Sequence, residues 1–248
     1  MTADISRSIR FRGIAFLTPI DHRKATRRLL LAYGVSLFLF ALWPTLDLRV
    51  SALFHTEGAG FTLAAVPALH VLRETVWNLS IAMFALSLGA LGLAAFGRAI
   101  PGFEARTAGF VFLLYLLGPI LLVNGLLKRF WGRARPADIT EFGGSREFTP
   151  PWLPADQCAA NCSFVSGEGS AATALLLSLL VLAPALRGFL PPAAFRVYLG
   201  LAILLPAMGI ALRVATGRHF LSDTVFAVLF VLTIALVLHR LLLTPRTP

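Results

Sequence analysis

Six long apolar runs constrain this chain more than any other feature. They lie at 29–46, 76–96, 108–127, 171–186, 197–212 and 220–243. A helix needs about 20 apolar residues to cross the ~30 Å hydrocarbon core of a bilayer. The runs at 171–186 and 197–212 are short for that task. They are expected to extend into their flanks, so that 166–170 already belongs to the fourth helix. A transmembrane barrel needs alternating segments of about 10 residues instead, and these runs do not alternate. Composition agrees: 57% of the residues are hydrophobic and only 14% charged, against roughly 25% charged in a soluble domain. Mean hydropathy is +0.79. The expected fold is all-α, a polytopic six-helix membrane bundle. It forms one domain over 29–244, with a basic tail over 1–28 and a short tail over 245–248. No internal repeat is visible.

The formal net charge of +10 does not point to nucleic acid. The cations sit in short segments between apolar runs, where they act as topology signals. With six spans, both tails share one side with the loops 97–107 and 187–196. That side carries 13 of the 22 Lys and Arg residues. The positive-inside rule therefore puts both termini in the cytoplasm. An Arg-, Ala- and Leu-rich chain fits a bacterial source, which makes the opposite side periplasmic and the membrane the inner one. Nothing near the start reads as a cleavable signal. The segment 47–75 is expected to lie at the interface as an amphipathic piece. Trp131 and Trp152, in the long outer loop 128–165, suit interfacial anchors. Cys158 and Cys162, the only cysteines, lie in that loop. In an oxidising compartment they either close a small disulfide or remain two free thiols. Two cysteines with no adjacent His do not make a zinc site.

Three charged clusters exceed what topology requires, and all fall on the outer side. The third run ends in Lys128, Arg133 and Arg135. The fifth-to-sixth connection carries Arg213, His219 and Asp223. Between them, Ser166-Gly167-Glu168 opens the fourth run. His219 and Asp223 are four apart and share a helix face. A carboxylate so placed accepts a hydrogen bond from one ring nitrogen and leaves the other as a nucleophile. Lys128, Arg135 and Arg213 supply cations for phosphate oxygens. Ser166 suits a helix N-cap, Gly167 lets a ligand approach the backbone, and a helix N-terminus attracts anions. Arg133 and Arg218 read as interfacial or lipid-head-group cations. His22 and His239 fall on the cytoplasmic side and read as solvated.

Lys128-x₆-Arg135-Pro136, Ser166-Gly167 and Arg213-x₅-His219-x₃-Asp223 resemble, in order and setting, the three signature motifs of the type 2 phosphatidic acid phosphatase superfamily. The resemblance covers about residues 30–240. It implies a metal-independent lipid phosphatase that needs no cofactor. His219 would attack phosphorus and become a phosphohistidine, and Asp223 would orient it. Lys128, Arg135, Arg213, Ser166 and Gly167 would hold the phosphoryl oxygens. The partners implied are a membrane lipid phosphate and the bilayer.

The chain departs from the family pattern at two positions. Leu212 replaces a Ser before Arg213. Glu168 replaces the second-motif His, the family's general acid. An ordinary carboxylic acid titrates at about 4.3 and an imidazole at about 6.5. Glu168 is therefore expected to act as the acid only in an unusual environment or at acidic pH. A substrate with a better leaving group is the other solution, such as an isoprenyl diphosphate or a lipid A 1-phosphate. Phosphatidylglycerophosphate and phosphatidic acid complete the expected substrates. His55 and His70, also on the outer side, are the imidazoles available to replace the missing acid. A lipid phosphotransferase, or a non-catalytic phospholipid binder or transporter, fits the same motifs. A soluble haloperoxidase-like relative does not fit the hydropathy.

Overall fold

The computed structural model describes residues 20–244, all helices and connecting loops, with no extended strand among them. Of the expected 1–28 tail, residues 1–19 lie outside the described residues, as does the C-terminal tail 245–248. Among the described residues, six helices are long and apolar enough to cross a membrane. The first, α1 (His22–Leu42), starts earlier than its apolar run. Asp21 caps it, its carboxylate accepting a hydrogen bond from the Lys24 backbone N–H at 3.0 Å. Residues 22–28, read as tail, are therefore helix.

A short helix α2 (Leu46–Ala52) and a 3₁₀ turn (Thr62–Ala65) fill the following connection. The second span, α3 (Pro67–Ala95), begins at a proline, whose fixed φ suits a first helical position. It also starts well before its apolar run, taking His70, Arg73 and Glu74 into the helix. The third span, Ala105–Phe130, is composite. It comprises α4 (Ala105–Tyr115), a π-helical stretch (Leu116–Leu127) and a last turn, α5 (Lys128–Phe130). Pro119 lies in the π stretch and has no N–H to give to the preceding turn. The Pro119 carbonyl accepts from Asn124 Nδ2 at 2.7 Å.

The remaining spans are α6 (Gly167–Arg187), α7 (Pro192–Ala215) and α8 (Leu221–Leu238, continued by a π turn to Leu243). Helix α6 is the most buried span and packs against α3, α4, α7 and α8. Apart from Glu168, its first turns are Gly, Ser, Ala and Thr. In lipid, helices gain little from the hydrophobic effect, so small residues that permit close contact carry much of the association. The core joins Val76 and Met83 of α3, Phe110 and Leu114 of α4, Leu175 of α6 and Val231 of α8. Helix α1 is peripheral and shows Leu30, Leu31 and Phe38 outward. It is tied to α8 by a 2.9 Å contact between Tyr33 Oη and Thr233 Oγ1. His239, expected to be solvated, is buried, with its Nδ1 3.2 Å from His22 Nε2. Trp131, expected as an interfacial anchor, stacks on Phe164 at 4.6 Å between ring centroids.

The chain leaves the third span at Gly132, which has a φ of 68°. A Cβ there would lie 1.6 Å from the Ala155 carbonyl oxygen. This close approach turns the chain so that Arg133 points inward. Gly132→Ala should lose roughly 1–2 kcal/mol from the left-handed backbone alone, plus the cost of displacing the backbone at Ala155. Thermal unfolding in detergent reads the loss. An unchanged melting curve would contradict this account of the turn.

Candidate active site

Three consecutive backbone carbonyls organise the site. The Asn161 carbonyl accepts from Arg135 Nη2 at 2.8 Å. The Cys162 carbonyl accepts from Lys128 Nζ at 2.9 Å. The Ser163 carbonyl pairs with His219 Nδ1 at 2.8 Å. A carbonyl only accepts, so Nδ1 carries the ring proton and Nε2 is left with its lone pair. Cys158 and Cys162 are joined as a disulfide, with 5.5 Å between their Cα atoms. It closes a small loop that holds the Asn161 and Cys162 carbonyls and ends one residue before Ser163.

Asp223 was expected to hydrogen-bond His219 directly. Its Oδ2 lies 3.8 Å from Nδ1, too far for that bond, so its influence is through charge. The carboxylate is occupied elsewhere. It accepts from the Ser163 hydroxyl, from the Phe220 backbone N–H at 2.8 Å and from Arg133 Nη1 at 2.6 Å. Arg133, expected at the interface, is wholly buried. It also donates to Asp47 Oδ2 at 2.8 Å, to Ser222 Oγ at 2.8 Å and to the Thr149 carbonyl at 2.8 Å. Its guanidinium lies 4.2 Å from the Phe220 ring centroid. Asp47, which the sequence reading left in an interfacial segment, is buried too. It accepts from the Ser222 backbone N–H at 2.9 Å and so pins α2 to the start of α8.

His219 lines a cavity of about 390 Å³ together with Lys128, Arg135, Gly167, Glu168 and Arg213. Ser166 does not line it. Its hydroxyl accepts from the Gly169 backbone N–H at 3.0 Å, capping α6. Arg218, expected at the lipid head groups, lines the cavity. Arg73 does so as well and was not foreseen. It donates bidentately to Glu168, from Nε and Nη2, both at 2.8 Å. Arg213 Nη1 reaches the same carboxylate at 3.1 Å. Glu168 is therefore an acceptor from two guanidiniums, which is the arrangement of an anion rather than of a proton donor. The Nε of Arg213 is buried without a hydrogen-bond partner among the described residues. Five cations and the α6 N-terminus surround one carboxylate, so the cavity suits an anion.

Burial pushes His219 down to about 4, assisted by the charges of Lys128 and Arg213 and opposed by Asp223. The ring is thus neutral at pH 7. Burial and the neighbouring Arg218 also lower Arg135 from its ordinary value.

A family model described as the PAP2 superfamily matches residues 108–246. A lipid A 4'-phosphatase of Francisella tularensis subsp. novicida is 30% identical over 210 residues, covering 82% of this chain and 89% of that relative. The chain therefore belongs to the PAP2 superfamily. A lipid A 4'-phosphatase of Rhizobium etli is 42% identical over 128 residues, 48% of this chain and 46% of that relative. One of Rhizobium leguminosarum is 43% identical over 111 residues, 44% of each chain. The match spans less than half the length of these two Rhizobium relatives. No solved structure matches the chain.

Removing Arg133 would strand two buried carboxylates. Arg133→Ala should cost about 3–5 kcal/mol. Arg133→Lys should recover little, because one ammonium cannot reproduce a fork that serves Asp47, Asp223 and Thr149 together. Thermal unfolding in detergent tests both, and wild-type stability in Arg133→Ala would contradict the assignment. Cys158→Ser with Cys162→Ser, or reduction of the wild type, should release the 161–163 carbonyls and lower the affinity for inorganic phosphate. Titration with phosphate followed by Trp fluorescence reads that change.

Proposed function

We propose that this chain is a membrane lipid phosphatase that works through a phosphohistidine at His219. One observation carries the reading. A buried, neutral imidazole has its proton fixed on Nδ1, and its Nε2 is left free in a cavity ringed by Lys128, Arg135 and Arg213. Nε2 attacks phosphorus, and the phosphorus–oxygen bond to the lipid breaks. The three cations and the α6 amides at Gly167 stabilise the charge on the transferring oxygens. The phosphorylated ring is cationic. The Ser163 carbonyl and the nearby Asp223 charge hold it in that form. Water then attacks phosphorus, inorganic phosphate leaves and His219 is restored.

The substrate we propose is a phosphorylated glycolipid of the lipid A type, cleaved at its 4'-phosphate. The relatives named lipid A 4'-phosphatases support it. That ester is not anomeric, and so differs from the better leaving groups that the sequence had suggested. The site is proposed to face the periplasm from the inner membrane, with both termini cytoplasmic. The excess of Lys and Arg on the opposite side supports this orientation.

The test is phosphate release by detergent-purified protein, with EDTA present. The panel is lipid A phosphorylated at both positions, undecaprenyl diphosphate, phosphatidylglycerophosphate and phosphatidic acid. Release should survive EDTA, favour lipid A and fall by about 10³-fold or more in His219→Ala. kcat/KM should fall as the pH drops through about 4, because protonation removes the Nε2 lone pair. Undiminished release by His219→Ala would overturn the mechanism. Release that requires a second lipid would identify a phosphotransferase instead.

A further inference from the structure

Hydrolysis of an ordinary phosphate ester leaves an alkoxide that needs a proton, and general acid catalysis of this kind contributes about 10²–10⁴-fold. Resting on the phosphatase reading above, we propose that His70 of α3 supplies that proton. The position that carries the donor in the family's second motif is filled by Glu168, and both of its oxygens are taken by Arg73 and Arg213. Another group must therefore provide the proton. An imidazole is the side chain best suited to give and take one near neutral pH.

The chain has five histidines, and their positions leave one for this role. His219 is the nucleophile. His22 and His239 lie together away from the cavity. His55 is enclosed by aromatic rings, 5.3 Å from the Phe61 centroid and 5.0 Å from that of Phe142, and does not line the cavity. His70 does line it. His70, Arg73 and Trp77 recur at i, i+3 and i+7, so one face of α3 forms a wall of the cavity. The His70 side chain is 61% exposed, so the ring is free to turn towards a bound ester. Its Nε2 is 3.9 Å from Glu74 Oε1, which also accepts from Arg73 Nη1 at 2.5 Å. Lys128, an amine that also lines the cavity, is engaged with the Cys162 carbonyl at 2.9 Å.

The protons balance over the cycle. As the bond from His219 Nε2 to phosphorus forms and the bond from phosphorus to the lipid oxygen breaks, the His70 imidazolium gives its proton to that oxygen. The lipid alcohol departs. Neutral His70 then takes a proton from the water that attacks the phosphohistidine, which regenerates the imidazolium. The assignment also explains the second-motif substitution. The proton donor moves from α6 to α3, and position 168 becomes an anchor that holds Arg213 and Arg73 in place.

The experiment compares a long-chain alkyl phosphate with an aryl phosphate of matched tail, whose phenolate departs without a proton. Wild type, His70→Ala, His70→Gln and Glu168→Gln are assayed in the same detergent. Both His70 variants should lose about 100-fold or more on the alkyl ester and only a few-fold on the aryl ester. Added imidazole should restore part of the alkyl activity of His70→Ala. Glu168→Gln should lose activity on both esters alike, because it disturbs Arg213. Equal losses on both esters in His70→Ala, or no loss, would overturn the assignment while leaving the phosphatase reading intact. A selective alkyl loss in Glu168→Gln alone would make Glu168 the donor. Wild-type protein that releases phosphate from neither ester would overturn the phosphatase reading, and this assignment with it.

Discussion

The buried Arg133 guanidinium is the interaction on which the rest of the outer end of the bundle depends. One planar fork joins Asp47 of α2, Asp223 of α8 and the Thr149 carbonyl of the outer loop. Burial of a charge is costly unless it is fully paired. Here a single cation faces two carboxylates, and Ser222, Ser163 and two backbone N–H groups satisfy the remaining oxygens. The network leaves the negative charge of the Asp223 carboxylate beside His219. That charge is of little use to a resting neutral imidazole. Its value comes when the ring turns cationic on phosphorylation.

The cavity beyond it has the opposite balance. Lys128, Arg135, Arg213, Arg218 and Arg73 line it, and Glu168 is the carboxylate among them. Such a site is strained by its own cations and is relieved by an anion. The carbonyls of 161–163 keep the main groups in register, because each takes one N–H from Arg135, Lys128 or His219. A backbone ladder of this kind is more rigid than side chains holding one another. It aims the nucleophile and the cations at the same volume. Function therefore rests on electrostatics and backbone geometry more than on apolar packing, as expected where lipid weakens the hydrophobic drive between helices.

The sequence and the structure agree best where the physics is local or periodic. Hydropathy located all six spans, because each must satisfy the length rule by itself. The signature residues Lys128, Arg135, Gly167, Glu168, Arg213 and His219 do converge on one cavity. The start of α3 was missed because His70, Arg73 and Glu74 break the apolar run. His70 and Arg73 are tolerated in the helix because they line the cavity, where Arg73 reaches Glu168, and Glu74 pairs with Arg73. Arg133 and Asp47 were misread for another reason. Their pairing spans 86 residues, and Arg73 reaches Glu168 across 95. No periodicity records such contacts. The role of Ser163 had no sequence signal at all, since a backbone carbonyl is common to every residue type. Ser166 was read both as an N-cap and, from its motif, as a phosphate ligand; its oxygen caps α6, and it does not line the cavity.

The central claim is that His219 Nε2 becomes covalently bonded to phosphorus. The most direct measurement is a rapid acid-free quench of the enzyme with ³²P-labelled lipid phosphate, followed by peptide mapping. The account predicts label on the peptide that contains His219, stable to alkali and lost in acid, and no label in His219→Ala. Turnover of the labelled lipid with no phosphorus ever bound to the protein would contradict it.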